Sequence, residues 1–195
     1  MIKTVAIGLF SALAFLSLQA DDNNRYPPKR DWIAELRGGI FLPSSEKIQK
    51  IYGHGWIEGE AEFTYRFKGC WGIWGNAGYF YKNGHPKGHH SGHIQLFPVS
   101  SGLKAIFFFS HHIRPYLGIG PSYTFLHLKN FSPLIRQRAY KNRFGFVAKS
   151  GIYFDLPKHF ALDLFFDYYY QHIHFQLLRV NVGGFRTGIG LGYRF

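Results

Sequence analysis

The sequence predicts an all-β chain: an eight-stranded antiparallel up-and-down barrel that crosses a membrane with strands. Three observations predict it. Aromatic residues make up 19% of the 195 residues and glycine occupies 23 positions, a composition rich in rings and glycine for a soluble enzyme. Several segments of ten or more residues alternate apolar with small or charged residues, the period of a strand with two unlike faces. The connections between those segments alternate strictly between long and short.

The first residues stand apart from this pattern. Lys3 precedes an apolar run from Val5 to Leu18, and a small residue closes it at Ala20 before the polar stretch "DDNNRYPPKR". This reads as a cleaved secretory signal peptide over 1–20, followed by an N-terminal periplasmic segment over 21–31 and the barrel over 32–195. After the signal, no stretch reaches the roughly 18 apolar residues that a membrane-spanning helix requires. Cys70 is the single cysteine, which excludes an internal disulfide, and it does not lie where a lipoprotein anchor would need it. The net charge of +12 asks for an anionic partner. Export argues against nucleic acid.

Taken in order, strands are expected to begin at Trp32, Trp56, Trp71, Ile94, Arg114, Arg143, Phe160 and Phe185. In "WIEGEAEFTYRF" the acids Glu58, Glu60 and Glu62 share a face with Thr64 and Arg66, while Ile57, Ala61, Phe63, Tyr65 and Phe67 take the other. "FALDLFFDYYYQ" sets Phe160, Leu162, Leu164, Phe166, Tyr168 and Tyr170 against Asp163, Asp167 and Gln171. The last strand sets Phe185, Thr187, Ile189, Leu191, Tyr193 and Phe195 against Arg186, three glycines and Arg194. Pro98 and Pro121 fall inside strands, where the missing N–H predicts bulges or strand ends. Such lengths suit a tilted span better than the ~5–6 residues usual in soluble sheets.

Short links are expected around Gly69, His111 and Pro157, and long ones from Pro43 to Gly55, Lys82 to Gly92, Lys129 to Asn142 and His172 to Gly183. This order is that of an outer-membrane barrel with both termini and the short turns in the periplasm. Trp32, Trp56 and Trp71 near strand ends are expected in the interfacial belt, and Trp74 inward.

Two stretches, "IRPYLGIGPSY" and the C-terminal "GIGLGYRF", give the chain a resemblance to a known family. From Trp32 to Phe195 it resembles the small eight-stranded outer-membrane barrels of the OmpA, OmpX and OmpW type, with the likeness to OmpA confined to its barrel. The resemblance implies that Gly190, Tyr193 and Phe195 form the terminal signal read by the outer-membrane assembly machinery. The polar residue usual at the head of that signal is replaced by Gly188.

The inward faces collect Glu35, Glu58, Glu60, Glu62, Asp163 and Asp167 with Arg37, Arg66, Lys104, Arg143, Lys149, Arg186 and Arg194. In so narrow a barrel these predict a closed plug of ion pairs, since buried charges must pair or stay wet. A narrow pathway for ions or small solutes is the alternative, with the last strand's glycines leaving room. His85, His89, His90 and His93 could converge on a metal, yet no carboxylate or cysteine joins them, and a solvated loop with no metal or other cofactor is the expectation. A lipid A-modifying enzyme would need a histidine with a serine and an acid. His172 and His174 have no nearby serine, and Ser91 beside His90 has no acid, so no catalysis is expected. Lys129, Arg136, Arg138 and Lys141 are expected in an outer loop, against outer-membrane lipid and the phosphates of lipopolysaccharide. The function these features support is envelope integrity or surface contact.

Overall fold

A computed structural model describes residues 31–195 apart from 46–48, 50–52, 54, 85–91, 111, 132–135, 176–177 and 182. The strands are β1 (Asp31–Pro43), β2 (Trp56–Lys68), β3 (Trp71–Gly84), β4 (Gly92–Ile106), β5 (Ile113–Phe131), β6 (Arg136–Asp155), β7 (Phe160–Tyr170), β8 (His172–Phe175), β9 (Leu178–Asn181) and β10 (Gly184–Arg194). Eight of them close a barrel in the order β1-β10-β7-β6-β5-β4-β3-β2, and β8 pairs with β9 as a separate two-stranded sheet. Every neighbouring pair is antiparallel, and β1 meets β10 from Ile33↔Arg194 to Pro43↔Gly184. Closure leaves no free edge within the barrel wall, which a membrane requires because lipid cannot satisfy backbone polar groups.

The period-two pattern of the sequence becomes the inside and outside of this wall. Along β7 buried and more exposed residues alternate without interruption from Phe160 to Tyr170. Leu36, Ile73, Leu103, Ile119, Leu164 and Ile189 point outward, and Glu35, Lys104, Lys149 and Asp163 are buried. Rings gather toward the short-turn end of the outer face: Trp32 lies 4.1 Å from Tyr65, Phe160 5.4 Å from Tyr193, and Tyr193 5.1 Å from Phe195. No helix among the described residues is long and apolar enough to cross a membrane.

Several details depart from the sequence reading. The first strand begins at Asp31 rather than Trp32. The connection expected over 129–142 is largely strand, because β5 and β6 continue as a paired hairpin to Phe131↔Arg136. Polar residues hide such a hairpin, since strands standing clear of the membrane need no oily face. Likewise the connection expected over 172–183 contains β8 and β9. Trp56 is fully buried with its ring 5.5 Å from Phe41, not in the outer belt. It shares the parity of Glu58, and that parity overrides its place at a strand end. Pro98 and Pro121 end no strand and shift no register. Beside Pro98 the β3–β4 pairing lapses between Ala77↔Val99 and Phe80↔Leu96, then resumes in step. Beside Pro121 the β4–β5 pairing lapses between Ser100↔Ser122 and Leu103↔Ile119 and resumes in the same way. The register shift lies elsewhere, between Arg66 and Lys68.

Candidate functional site

The interior is the one place where chemistry-bearing side chains converge among the described residues. Strand β1 contributes Glu35 and Arg37, β2 contributes Glu58, Glu60 and Glu62, β4 Lys104, β6 Lys149, β7 Asp163 and Asp167, and β10 Arg186. All have side chains 0–1% exposed. Inward parity brings them together, because residues two apart on a strand share a face.

Arg37 is the hub. Its guanidinium lies 2.9 Å from Glu35, 3.0 Å from Glu62, 2.8 Å from Asp163, 3.5 Å from Glu60 and 3.7 Å from Asp167. It also donates to Tyr116 Oη at 3.0 Å and stands over the Phe165 ring at 5.3 Å. Lys149 Nζ bridges Glu60 at 2.8 Å and Glu62 at 2.5 Å, with Asp167 at 3.4 Å and the Trp74 ring at 4.8 Å. Lys104 donates to Glu62 and, at 2.9 Å, to Tyr153 Oη. Toward the long-connection end, Arg186 holds Glu58 at 2.7 Å and Glu60 at 2.5 Å and donates to Tyr169 Oη at 2.7 Å. Above it Phe41, Trp56 and Phe80 form an aromatic layer, with Phe41 and Phe80 rings 5.2 Å apart. Ionic groups so deeply desolvated are costly unless partners compensate them; among the described residues eight of these ten have two or more charged partners, while Glu58 has Arg186 alone and Asp163 has Arg37 alone.

Two glycines of β10 lie close against this network. A Cβ on Gly190 would meet Arg37 Cγ at 3.0 Å and Asp163 Cβ at 3.3 Å, and one on Gly192 would meet Glu35 Cβ and Ile33 Cγ2, both at 3.3 Å.

Three expected members stand elsewhere. Arg66 pairs bidentately with Asp31 at the short-turn end, with both contacts at 2.8 Å, and stands over the Phe108 ring at 4.8 Å. Arg194 shares Asp155 with Arg114, at 3.2 Å from its own Nη1. Arg143 is half-buried at the opposite end, with no ion pair among the described residues. It sits beyond Phe146↔Tyr170, where β7 stops accompanying β6, and its carbonyl accepts from Gln171 Nε2 at 3.1 Å. Sequence reasoning missed Asp31, Arg114, Asp155 and the phenols of Tyr116, Tyr153 and Tyr169. For Asp31, Tyr153, Asp155 and Tyr169 the signal was available, because each shares strand and parity with a charged residue already placed inside; Arg114 and Tyr116 lie on β5, which offers no such neighbour.

The remaining candidates are less visible. His85, His89 and His90 lie outside the described residues, and His93 lies on β4 opposite Asn83 with its side chain outside them. Lys129, Arg136, Arg138 and Lys141 are placed by backbone alone, on the β5–β6 hairpin, where Lys129 lies opposite Arg138. The side chains of His172 and His174, on β8, are outside the described residues, as are residues 1–30. Tyr193 and Phe195 point outward, 39% and 69% exposed.

No protein-family model matches the sequence, and no curated relative does. Solved structures do. OprG from Pseudomonas aeruginosa superposes with a TM-score of 0.63 at 17% identity, over 87% of this chain and 97% of that one. Neisserial surface protein A superposes with 0.59 at 15% identity, over 85% and 97%. Ail of Yersinia pestis, in complex with the heparin analogue sucrose octasulfate, superposes with 0.58 at 16% identity, over 86% and 100%.

The chain has the fold of the small eight-stranded outer-membrane barrels. An outer-membrane barrel turns its short connections to the periplasm, so the end bearing Gly69, Pro157 and Phe195 is periplasmic and the β5–β6 hairpin stands outside. The barrel's central network lies between the aromatic layer of Phe41, Trp56 and Phe80 on one side and the Asp31–Arg66 and Asp155–Arg114 pairs on the other.

Proposed function

We propose that this outer-membrane barrel catalyses nothing and conducts nothing, and that it works from its outer surface, in envelope integrity or surface contact. The observation that carries this reading is the interior: ten charged side chains in one network, each 0–1% exposed. A narrow conducting pathway would need those groups to be wet. The outer surface instead carries a paired hairpin whose backbone brings Lys129 opposite Arg138 and Phe131 opposite Arg136, with Lys141 further down the same strand. Such a cluster suits phosphate or sulfate groups. The complex of Ail with a sulfated sugar analogue shows that a barrel of this fold accepts such a ligand, and lipopolysaccharide phosphates are the anions nearest to this hairpin. The terminal Gly190, Tyr193 and Phe195 serve as the tag for the assembly machinery, with Phe195 also an interfacial anchor.

The test replaces Lys129, Arg136, Arg138 and Lys141 together with serine and follows binding of the reconstituted barrel to lipopolysaccharide and to a sulfated polysaccharide. Salt-sensitive binding by the parent that weakens at least about tenfold in the variant supports surface contact through this hairpin, a loss of about 1.4 kcal/mol. Equal binding by both would remove the hairpin from the account.

A further inference from the structure

The central network is short of positive charge. Its six carboxylates meet four cations: Arg37, Lys104, Lys149 and Arg186. At the periplasmic end Asp31 and Arg66 cancel, and Asp155 with two arginines leaves a single positive excess. An anion buried without a counter-charge is costly, and a buried carboxyl commonly takes up a proton instead.

The register shows where that proton belongs. Glu35 and Glu62 lie directly opposite one another on β1 and β2, a placement that is destabilising for two like charges. Both depend on the same two cations. Arg37 reaches Glu35 at 2.9 Å and Glu62 at 3.0 Å, and Lys104 contacts Glu62 while standing 3.9 Å from Glu35. The two carboxyls are unequally served. Glu62 takes Arg37, Lys104, Lys149 and the Thr64 hydroxyl. Glu35 receives Arg37 and the Tyr153 phenol on Oε1, while its Oε2 has no donor among the described residues.

We propose that Glu35 is held as a neutral carboxylic acid whose Oε2 donates to the Glu62 carboxylate, making this pair a buried proton-binding site at the centre of the barrel. The proton turns an oxygen without a donor into a donor and converts a like-charge contact into a hydrogen bond. The titratable groups facing Glu35 are Arg37 on its own strand, Glu62 on β2, Lys104 on β4, Tyr116 on β5, Tyr153 on β6 and Asp163 on β7. From β10 it faces Gly192, which adds no charge.

Two measurements on the full barrel in vesicles of ether-linked lipid, which has no ester carbonyl, test this. The infrared spectrum at neutral pH should contain the carbonyl stretch of a protonated carboxylic acid, and Glu35→Gln should remove it. In urea unfolding at neutral pH, Glu35→Gln, which is neutral and still donates to Glu62, should match the parent. Glu62→Gln should unfold at lower urea, since it strips an anion from three cations. Absence of the acid band in the parent overturns the proposal even if a variant does not fold. So does a band that survives Glu35→Gln, or equal damage from the two substitutions.

Discussion

At the centre of the lumen Arg37 meets five carboxylates with no solvent contact, whereas at the periplasmic mouth Arg194 meets Asp155 with 28% of its own side chain exposed. The groups are alike in chemistry and comparable in distance. What separates them is desolvation: the central charges have given up water and depend wholly on each other, while the mouth charges fall back on solvent when a partner is lost. The lumen is therefore expected to tolerate change from the rim inward, with cost rising steeply at the middle.

The largest effect is expected at the hub. Arg37→Leu leaves five buried carboxylates short of their common cation and should cost at least about 3–5 kcal/mol, read as a fall in the urea midpoint of the barrel in vesicles. Glu60→Leu comes next. It takes an anion from Arg186, Lys149 and Arg37 together, and a loss of about 3–5 kcal/mol is expected by the same measurement. Arg114→Ala lies between the two layers, because the arginine is 1% exposed while its partner Asp155 is 16% exposed. It should cost about 1.5–3 kcal/mol, the range for a hydrogen bond to a charged group. Arg194→Ala should cost least, about 0.2–1 kcal/mol, and added salt should shrink even that difference. A mouth substitution as costly as the central ones would break the comparison.

How much of this was legible beforehand follows from the same physics. The span was legible because one face of each strand meets lipid and the other a packed lumen, so Glu58, Glu60 and Glu62 had to lie together and Ile57, Ala61 and Phe63 had to face away. That the ten central charges face inward follows from parity alone. What parity does not encode is height along the barrel axis, and for that reason Arg66, Arg143 and Arg194 were grouped with residues they do not touch. Register settles height, placing Arg37 opposite Gly190 and Glu60 while Arg66 falls opposite Asp31 at the mouth. The β5–β6 hairpin was hidden for a different reason: above the membrane no lipid imposes an oily face, so a basic strand reads as a loop. Trp56 follows its parity, shared with Glu58, and not the interfacial preference of its ring.

The central claim is that charge pairing closes the lumen, and single-channel recording of the purified barrel in a planar bilayer tests it most directly. The account predicts a current indistinguishable from the bare membrane for the parent, with openings appearing in Arg37→Leu where the hub is removed. A steady ohmic current through the parent would contradict it and make the barrel a narrow channel.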